Sequence, residues 1–357
     1  MTAQTFHHSR SQHVTISCTD KPQGDDWDEY VNAHENGSFF HLSGWGDVAC
    51  EAYGYEPLFL TAKRGGIIAG LMLLIDVRTP LLGRSLVSTA FTVGGGPLSD
   101  DPLVANELLA AAAAEGAARN ARFIESRSGD TSAGWLEKPV THANFSFDLI
   151  NDESEALTAV PRKRRAEIRK GLKAAESGDL TIRHDGDADV FYALYAKSLH
   201  GLGTPVFPKK FLNAVLNAFS EELEITVVSH RGAPICALLT FYHGRTALPY
   251  YVGAGEDARN LRAFDFLYWS VMRRAAAKGC CKFDFGRSKI NSGAYKYKTL
   301  WGIEPEPLIY HVKLIGDKSL PDISASNPKF SFFTKTWKHL PLAVANRMGP
   351  ILAPNFP

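Results

Sequence analysis

A chain of 357 residues, 45% hydrophobic and 22% charged, has the proportions of a folded globular protein, too apolar for a disordered chain and too long for one small module. Lys and Arg number 39 against 38 Asp and Glu, so a net charge of +1 supplies no bulk field toward nucleic acid or anionic lipid, and any polyanion site has to be local. Cys18, Cys50, Cys236, Cys280 and Cys281 show no metal-ligand spacing, so no metal is expected and free thiols are.

Residues 1–22 lack the apolar segment of a secretory signal and read as a flexible leader. No later apolar run reaches the roughly 18 residues needed to span a bilayer, so the cytoplasm is the expected location. Helices are predicted over 25–35 and 43–53, the second with Ser43 as its N-cap. EPLFLTAKRGGIIAGLMLLI then reads as two apolar strands around an Arg64-Gly65 turn, a β-hairpin signature. A third strand (84–93), a glycine cluster from Val93 to Pro97, an Ala-rich helix (103–119) and a short strand (122–125) complete this unit.

A helix predicted over 161–177 is closed by Gly178, and helices over 187–199 and 208–219 follow. LEITVVSHRGAPICALLTFY restates the hairpin around Arg231-Gly232, 167 residues beyond Arg64-Gly65, and at that offset Ile68, Leu71 and Leu74 match Ile235, Leu238 and Phe241. A third strand (245–252), glycines, a helix (260–278) and a strand (282–285) come after it in the earlier order. The repetition predicts an α+β protein made of two lobes in tandem, each a mixed, mainly antiparallel sheet flanked by helices, over 23–151 and 152–316. Residues 317–357 read as a linker and a basic-aromatic tail.

Two clusters carry candidate chemistry. In PRKRRAEIRKGLK, helical spacing sets Arg162, Arg165, Arg169 and Lys173 along the border of an apolar stripe, where guanidinium forks can grip phosphate; a solvated helix face is the plain alternative. In DFGRSKINSGAYKYKTLWG, a loop after a strand packs Arg287, Lys289, Lys296 and Lys298 among Tyr295, Tyr297 and Trp301, the mixture from which substrate sites are built. Asp284 closes an apolar strand, either as a structural cap or as a group that orients an amine and takes its proton. The glycines at 94–96 either hold an anion on bare amides or make a tight turn. At residues 259–264, Arg262 and Phe264 stand where a coenzyme A pyrophosphate loop needs small residues.

With these residues in view, the chain resembles the FemAB-like branch of the GNAT superfamily, whose members carry two tandem GNAT-like lobes. SFFHLSGW (38–45) is similar to its entry motif, GGPL (95–98) to its Gly-Pro turn, and KYKTLWG (296–302) to its aromatic-Lys-x-x-aromatic-Gly motif. With GTPVFP (203–208) and WKHLPLAVANRMGP (337–350), the pattern looks like the members associated with exosortase/PEP-CTERM and exopolysaccharide systems. The resemblance implies an acyltransferase moving an acyl or aminoacyl group to an amine of a cell-envelope or exopolysaccharide-related acceptor. It implies no tightly bound cofactor but an acyl donor, with aminoacyl-tRNA, acyl carrier protein and acyl-CoA all open.

By the same resemblance Lys298 handles the donor's ester carbonyl; acyl transfer also needs a proton path and a grip on the donor, for which Asp284 with Tyr297 is expected to position or deprotonate the amine and Arg165, Arg169 and Arg287 to bind phosphate. Replacing Lys298 by Ala is then expected to end turnover at little cost in melting temperature. Arg162, Lys289, Lys296, Tyr295 and Trp301 complete the expected binding surface. The expected partners are the donor and the amine acceptor, with tRNA open, contact of the tail with the inner face of a membrane open, and no DNA. The rival reading is a non-catalytic protein that holds RNA or a partner on a degenerate GNAT scaffold, using the same basic helix and tail.

Overall fold

The computed structural model describes residues 13–316 except 23, 81, 82, 130 and 132, together with 319 and 336–355. The first repeat runs β1 (Val14–Thr19), α1 (Asp26–Ala33), α2 (Gly44–Tyr53), β2 (Glu56–Arg64), β3 (Ile67–Thr79), β4 (Gly83–Ser88), α3 (Pro102–Ala118) and β5 (Phe123–Ser126). Short strands β6 (Leu136–Glu137), β7 (His142–Asn144) and β8 (Ser146–Asp148) lead to α4 (Glu153–Ala159) and α5 (Arg162–Glu176). The order then returns with β9 (Leu180–Arg183), α6 (Ala188–Leu202), α7 (Lys209–Ala218), β10 (Leu223–His230), β11 (Ala233–His243), β12 (Thr246–Ala254), α8 (Asp257–Asn260), α9 (Ala263–Ala277) and β13 (Lys282–Asp284). The last elements are β14 (Ser288–Lys289), α10 (Gly293–Thr299), β15 (Glu306–Pro307), β16 (His311–Leu314) and a terminal helix, Leu342–Leu352.

Each repeat forms a sheet that is antiparallel through its first four strands and parallel between its fourth and fifth, β4 with β5 and β12 with β13. The strand that ends each repeat crosses over: β8 pairs with β13 and β16 with β5, so each sheet is completed by the other repeat. A three-stranded ribbon, β14-β7-β15, ties the crossing segments together. The lobes expected as independent spans thus exchange their edges. Val14–Thr19, expected within a flexible leader, is an edge strand on β2, because Val14, Ile16 and Cys18 alternate toward the apolar layer under α3. Residues 1–12, 320–335 and most of the linker expectation lie outside the described residues.

Three apolar layers hold the molecule. One lies between the first sheet and α3, one between the second sheet and α5 and α9, and the third fills the space between the two sheets. There Phe39 stacks on Phe241 with centroids 4.3 Å apart, and Trp45, 1% exposed, sits 5.1 Å from Phe219 while its indole N–H donates to the Phe39 carbonyl at 3.0 Å. Helix α2 is anchored differently from the sequence expectation. Ser43 occupies the N-cap position, but its hydroxyl donates to Asp28 at 2.7 Å instead of capping the helix.

The duplication also needs a correction of one residue. Both hairpins turn on two residues with positive φ, Gly65 and Gly66 in one, Arg231 and Gly232 in the other, and Arg64↔Ile67 matches His230↔Ala233, an offset of 166 from Arg64 to His230. A β-bulge at Ala62/Lys63 recurs at Val228/Ser229 with the same offset. A one-residue slip exchanges faces in a strand. Leu71, Leu73 and Ile75 therefore correspond to Ala237, Leu239 and Phe241, all in the central layer, whereas Leu238 belongs to the outer one.

The terminal helix packs on its own protein. Trp337 is buried, a Cβ on Gly349 would stand 3.0 Å from the Val206 amide nitrogen, and His200 Nε2 meets the Leu340 carbonyl at 2.9 Å.

Candidate active site

Parallel pairing of β12 with β13 extends only over Thr246↔Lys282 and Ala247↔Phe283, and that of β4 with β5 over Ser85–Val87 and Phe123–Glu125. Past these pairs the strands part. A cavity of about 300 Å³ lies at the two openings, lined by Val93, Gly94 and Arg127 from the first repeat, by Tyr250 and Asp284 from the second, and by Asn144 and Tyr310 from the crossing segments. The register of β11 with β12 shifts between Leu239 and Thr240, leaving Tyr250 as the extra residue of a bulge that faces this cavity.

The first-repeat wall is built from strained backbone. Thr89 and Phe91 take φ of 44° and 70°, left-handed values unusual for side chains of their kind, and the Thr89 hydroxyl donates to the Phe40 carbonyl at 2.9 Å. Gly95 and Gly96 follow with φ of 122° and 103°, where added Cβ atoms would stand 2.7 Å from Thr89 Oγ1 and 2.6 Å from Ser128 Oγ. Those glycines serve a tight turn and close packing, the plainer of the two sequence readings. Tyr310 fastens the wall, its hydroxyl donating to the Val93 carbonyl at 2.5 Å.

Asp284 ends β13 at the cavity, where Oδ1 accepts the Gly286 amide at 2.8 Å. Burial pushes its carboxyl above the usual carboxylate range, against the pull of the Gly286 amide, Asn144 and Lys298. Glu125, on the opposite strand end, goes the other way. Burial would raise it, but Lys138 and Arg127, with Arg127 Nε at 3.0 Å, bring it down to about 2. Arg127 Nη1 also donates to the Thr92 carbonyl at 2.6 Å. The two carboxylates therefore differ, Glu125 fixed in an ion pair and Asp284 at the cavity with its carboxyl raised by burial.

Lys298 stands behind this site rather than in it. Its ammonium, on α10 and buried, donates to the carbonyls of Phe285, Gly286 and Arg287 at 2.6, 2.8 and 3.2 Å. All three N–H groups are engaged with these carbonyls, which ties Lys298 to the loop after Asp284. Burial draws Lys298 down to about 7, with Asp284 opposing the shift.

Tyr297 and Asp284 are likewise not brought together. The Tyr297 hydroxyl donates to Asp265 of α9 at 3.0 Å, and Asp265 is also bonded by Arg164 of α5. Arg164 lies 4.8 Å above the Tyr297 ring and 5.9 Å from that of Trp301, so the motif residues Tyr297 and Trp301 clamp a buried arginine. Tyr295 packs edge-on against Phe145 at 5.2 Å, while Lys289 and Lys296 are exposed.

On α5, Arg162 and Arg169 are exposed and Arg165 half-buried, and none lines the cavity. Among the described residues, no carboxylate pairs with these three; the helix's one acid beside them, Glu167, bonds Lys170 and Arg262. Four cations in the first turn oppose the helix dipole, a conflict that a bound polyanion would relieve. The neighbouring loop offers few free amides, since Leu261 and Arg262 donate to Asp257 and Arg259 within the α8 turn at 3.0 and 3.2 Å.

Of the expected site residues the structure places Asp284 at the cavity, while Arg287 is exposed and does not line it. It adds Arg127, Tyr250 and Tyr310. Arg127 had a signal, because Phe123 and Phe283 are each followed four residues later by an Arg-Ser pair, Arg127-Ser128 and Arg287-Ser288. Tyr310 had none.

Residues 162–299, from α5 through α10, match the family described as Acetyltransferase (GNAT) domain. No curated protein matches the sequence. Solved structures with the same fold include FemX, at TM-score 0.68 and 14% identity, covering 84% of this chain and 98% of that one. The fold is that of a tandem GNAT protein. A tandem GNAT protein from the clavulanic acid biosynthesis pathway aligns at TM-score 0.54 and 10% identity over 86% of this chain and all (100%) of that one. L-PGS from Bacillus licheniformis aligns at TM-score 0.54 and 15% identity over 90% and 99%. The matched family region lies within the second repeat.

Proposed function

We propose that the cavity between the GNAT lobes transfers an acyl or aminoacyl group from an activated donor to an amine. The observation that carries this reading is a half-buried carboxylate, Asp284, set across a strand opening from the bulge at Tyr250. The acyl carbonyl enters the opening with its oxygen toward the bulge backbone, where an amide outside the strand ladder serves as oxyanion donor. The amine lone pair attacks the carbonyl carbon, the amine proton passes to Asp284, and collapse of the tetrahedral intermediate breaks the bond to the donor's oxygen or sulfur, which takes that proton. Lys298 holds Asp284's loop in place.

The unpaired cations Arg162, Arg165 and Arg169 favour a phosphate-bearing donor, and the engaged amides at 261–262 favour aminoacyl-tRNA or an acyl carrier protein over coenzyme A in its ordinary pose. An envelope or exopolysaccharide acceptor rests on the motif resemblance alone. Among the described residues, no helix is long and apolar enough to cross a membrane. The test is mass-spectrometric product analysis with aminoacyl-tRNA, acyl carrier protein and acyl-CoA donors against an amine panel, using the wild type and Asp284→Asn. Transfer by the wild type, reduced at least about 100-fold in the variant, is expected. The basic first turn of α5 favours a second reading, a polyanion-binding scaffold without chemistry. Salt-dependent tRNA binding with no product from any donor would select it.

A further inference from the structure

We propose that the outer face of the terminal helix, Leu342–Leu352, seats the protein on an anionic lipid bilayer. This helix packs with its small residues and exposes its large ones. Ala345, Gly349 and Ala353, spaced four apart, are buried, with Gly349 closed against the Val206 backbone. Val344, Met348 and Ile351 share the side turned away at helical spacing and are 40%, 42% and 73% exposed. Leu202, also exposed, stands near the start of the helix, two residues past the His200 that meets the Leu340 carbonyl. A helix turned this way leaves its greater apolar area free for a second contact.

The charges choose what that contact is. Across residues 323–357 the sequence holds Lys329, Lys335, Lys338 and Arg347 and no Asp or Glu, although over the whole chain cations and acids balance. Arg347 is three residues from Val344 and four from Ile351, which sets it beside the apolar stripe, and both it and Lys338 are exposed. Among the described residues neither forms an ion pair. Asp189 shares a groove with Asn346 and Pro350, which helical spacing turns away from Val344 and Met348, and it is bonded by Lys209 at 2.6 Å.

Exposed isoleucine and methionine beside cations match hydrocarbon beneath negative headgroups. A polynucleotide would draw the cations but gain little from the stripe, and an apolar protein partner the reverse. From Val344 to Ile351 the stripe rises about 10 Å, so the helix lies along the surface and does not cross it.

Flotation of the full chain with phosphatidylcholine vesicles, with and without about 30% phosphatidylglycerol, tests this contact separately from the chemistry at Asp284. Binding at least about tenfold tighter to the anionic vesicles is expected, weakening with added salt. Met348→Ser with Ile351→Ser should cut it at least about tenfold, and Lys338→Gln with Arg347→Gln should shrink the difference between the two vesicle types, both at unchanged melting temperature because the replaced side chains are exposed. No binding of the wild type to anionic vesicles, equal binding to both compositions, or binding unchanged by the two serine replacements overturns the proposal. So does a concentration-dependent dimer that those replacements abolish without lipid, which would give the stripe to a second copy. Vesicle binding gained only when Phe330, Phe332 and Phe333 are replaced by serine would give it to the chain's own preceding segment and overturn the proposal as well.

Discussion

At Lys298 three consecutive carbonyls receive an ammonium at 2.6, 2.8 and 3.2 Å, so Lys298→Met should lower the melting temperature as well as activity. Each carbonyl left without a donor costs about 1–3 kcal/mol, the reverse of the sequence-based expectation of a catalytic loss at little cost in stability. Thermal scans decide between them: an unchanged melting temperature with lost turnover would restore Lys298 to the chemistry. Asp284 behaves oppositely. Burial favours its protonated form, so the folded state holds that proton to a higher pH than the unfolded chain does, and its contribution to stability falls as pH rises from the ordinary carboxylate value through the raised one. Asp284→Asn should remove that decline while erasing the alkaline-rising limb of the rate profile. The sequence showed that Asp284 and Lys298 stand near one another in a polar loop. It could not show which of them faces outward, because a side chain's hydrogen-bond partners are set by a loop whose turns depend on contacts with the other repeat.

Among the elements, α5, α9 and α10 meet at Arg164, Asp265 and Tyr297. Arg164 and Asp265 have side chains only 10% and 7% exposed, so removing one partner leaves a buried charge. Arg164→Met should destabilise the protein by about 3–5 kcal/mol, and adding Asp265→Leu should recover most of it. Denaturant titration of the single and double variants measures this; a double variant no better than the single would show that the pair is not coupled. Periodicity correctly marked α5 as basic along one border, yet it passed over Arg164, the one cation of the cluster that turns inward. The hairpins were legible from their turns, but their equivalence was read one residue out of step. Matching Arg-Gly letters aligned Arg64 with Arg231, while the backbone aligns Gly65 with Arg231, because either residue can occupy a left-handed turn position at differing strain.

Over the whole molecule, the crossing of β8 and β16 and the shared central layer tie the two lobes together. Scanning calorimetry of the full chain should show a single transition, and residues 13–151 alone, lacking β16 and half of the central layer, should fail to fold; two separate transitions would contradict this. Tandem duplication was readable from element order, whereas the exchange of edges was not, since a three-residue strand such as Ser146–Asp148 carries too little pattern to name its partner. That exchange is also what creates the site, because it brings Asn144 and Tyr310 between the two strand openings. In the proposed reaction an acyl group reaches an amine beside Asp284. Product formation across the donor panel by the wild type and by Asp284→Asn measures it directly. Multiple turnovers by the wild type with one donor, cut at least about 100-fold in the variant while donor binding persists, is the predicted result; equal turnover by both proteins, or none by either, would contradict it.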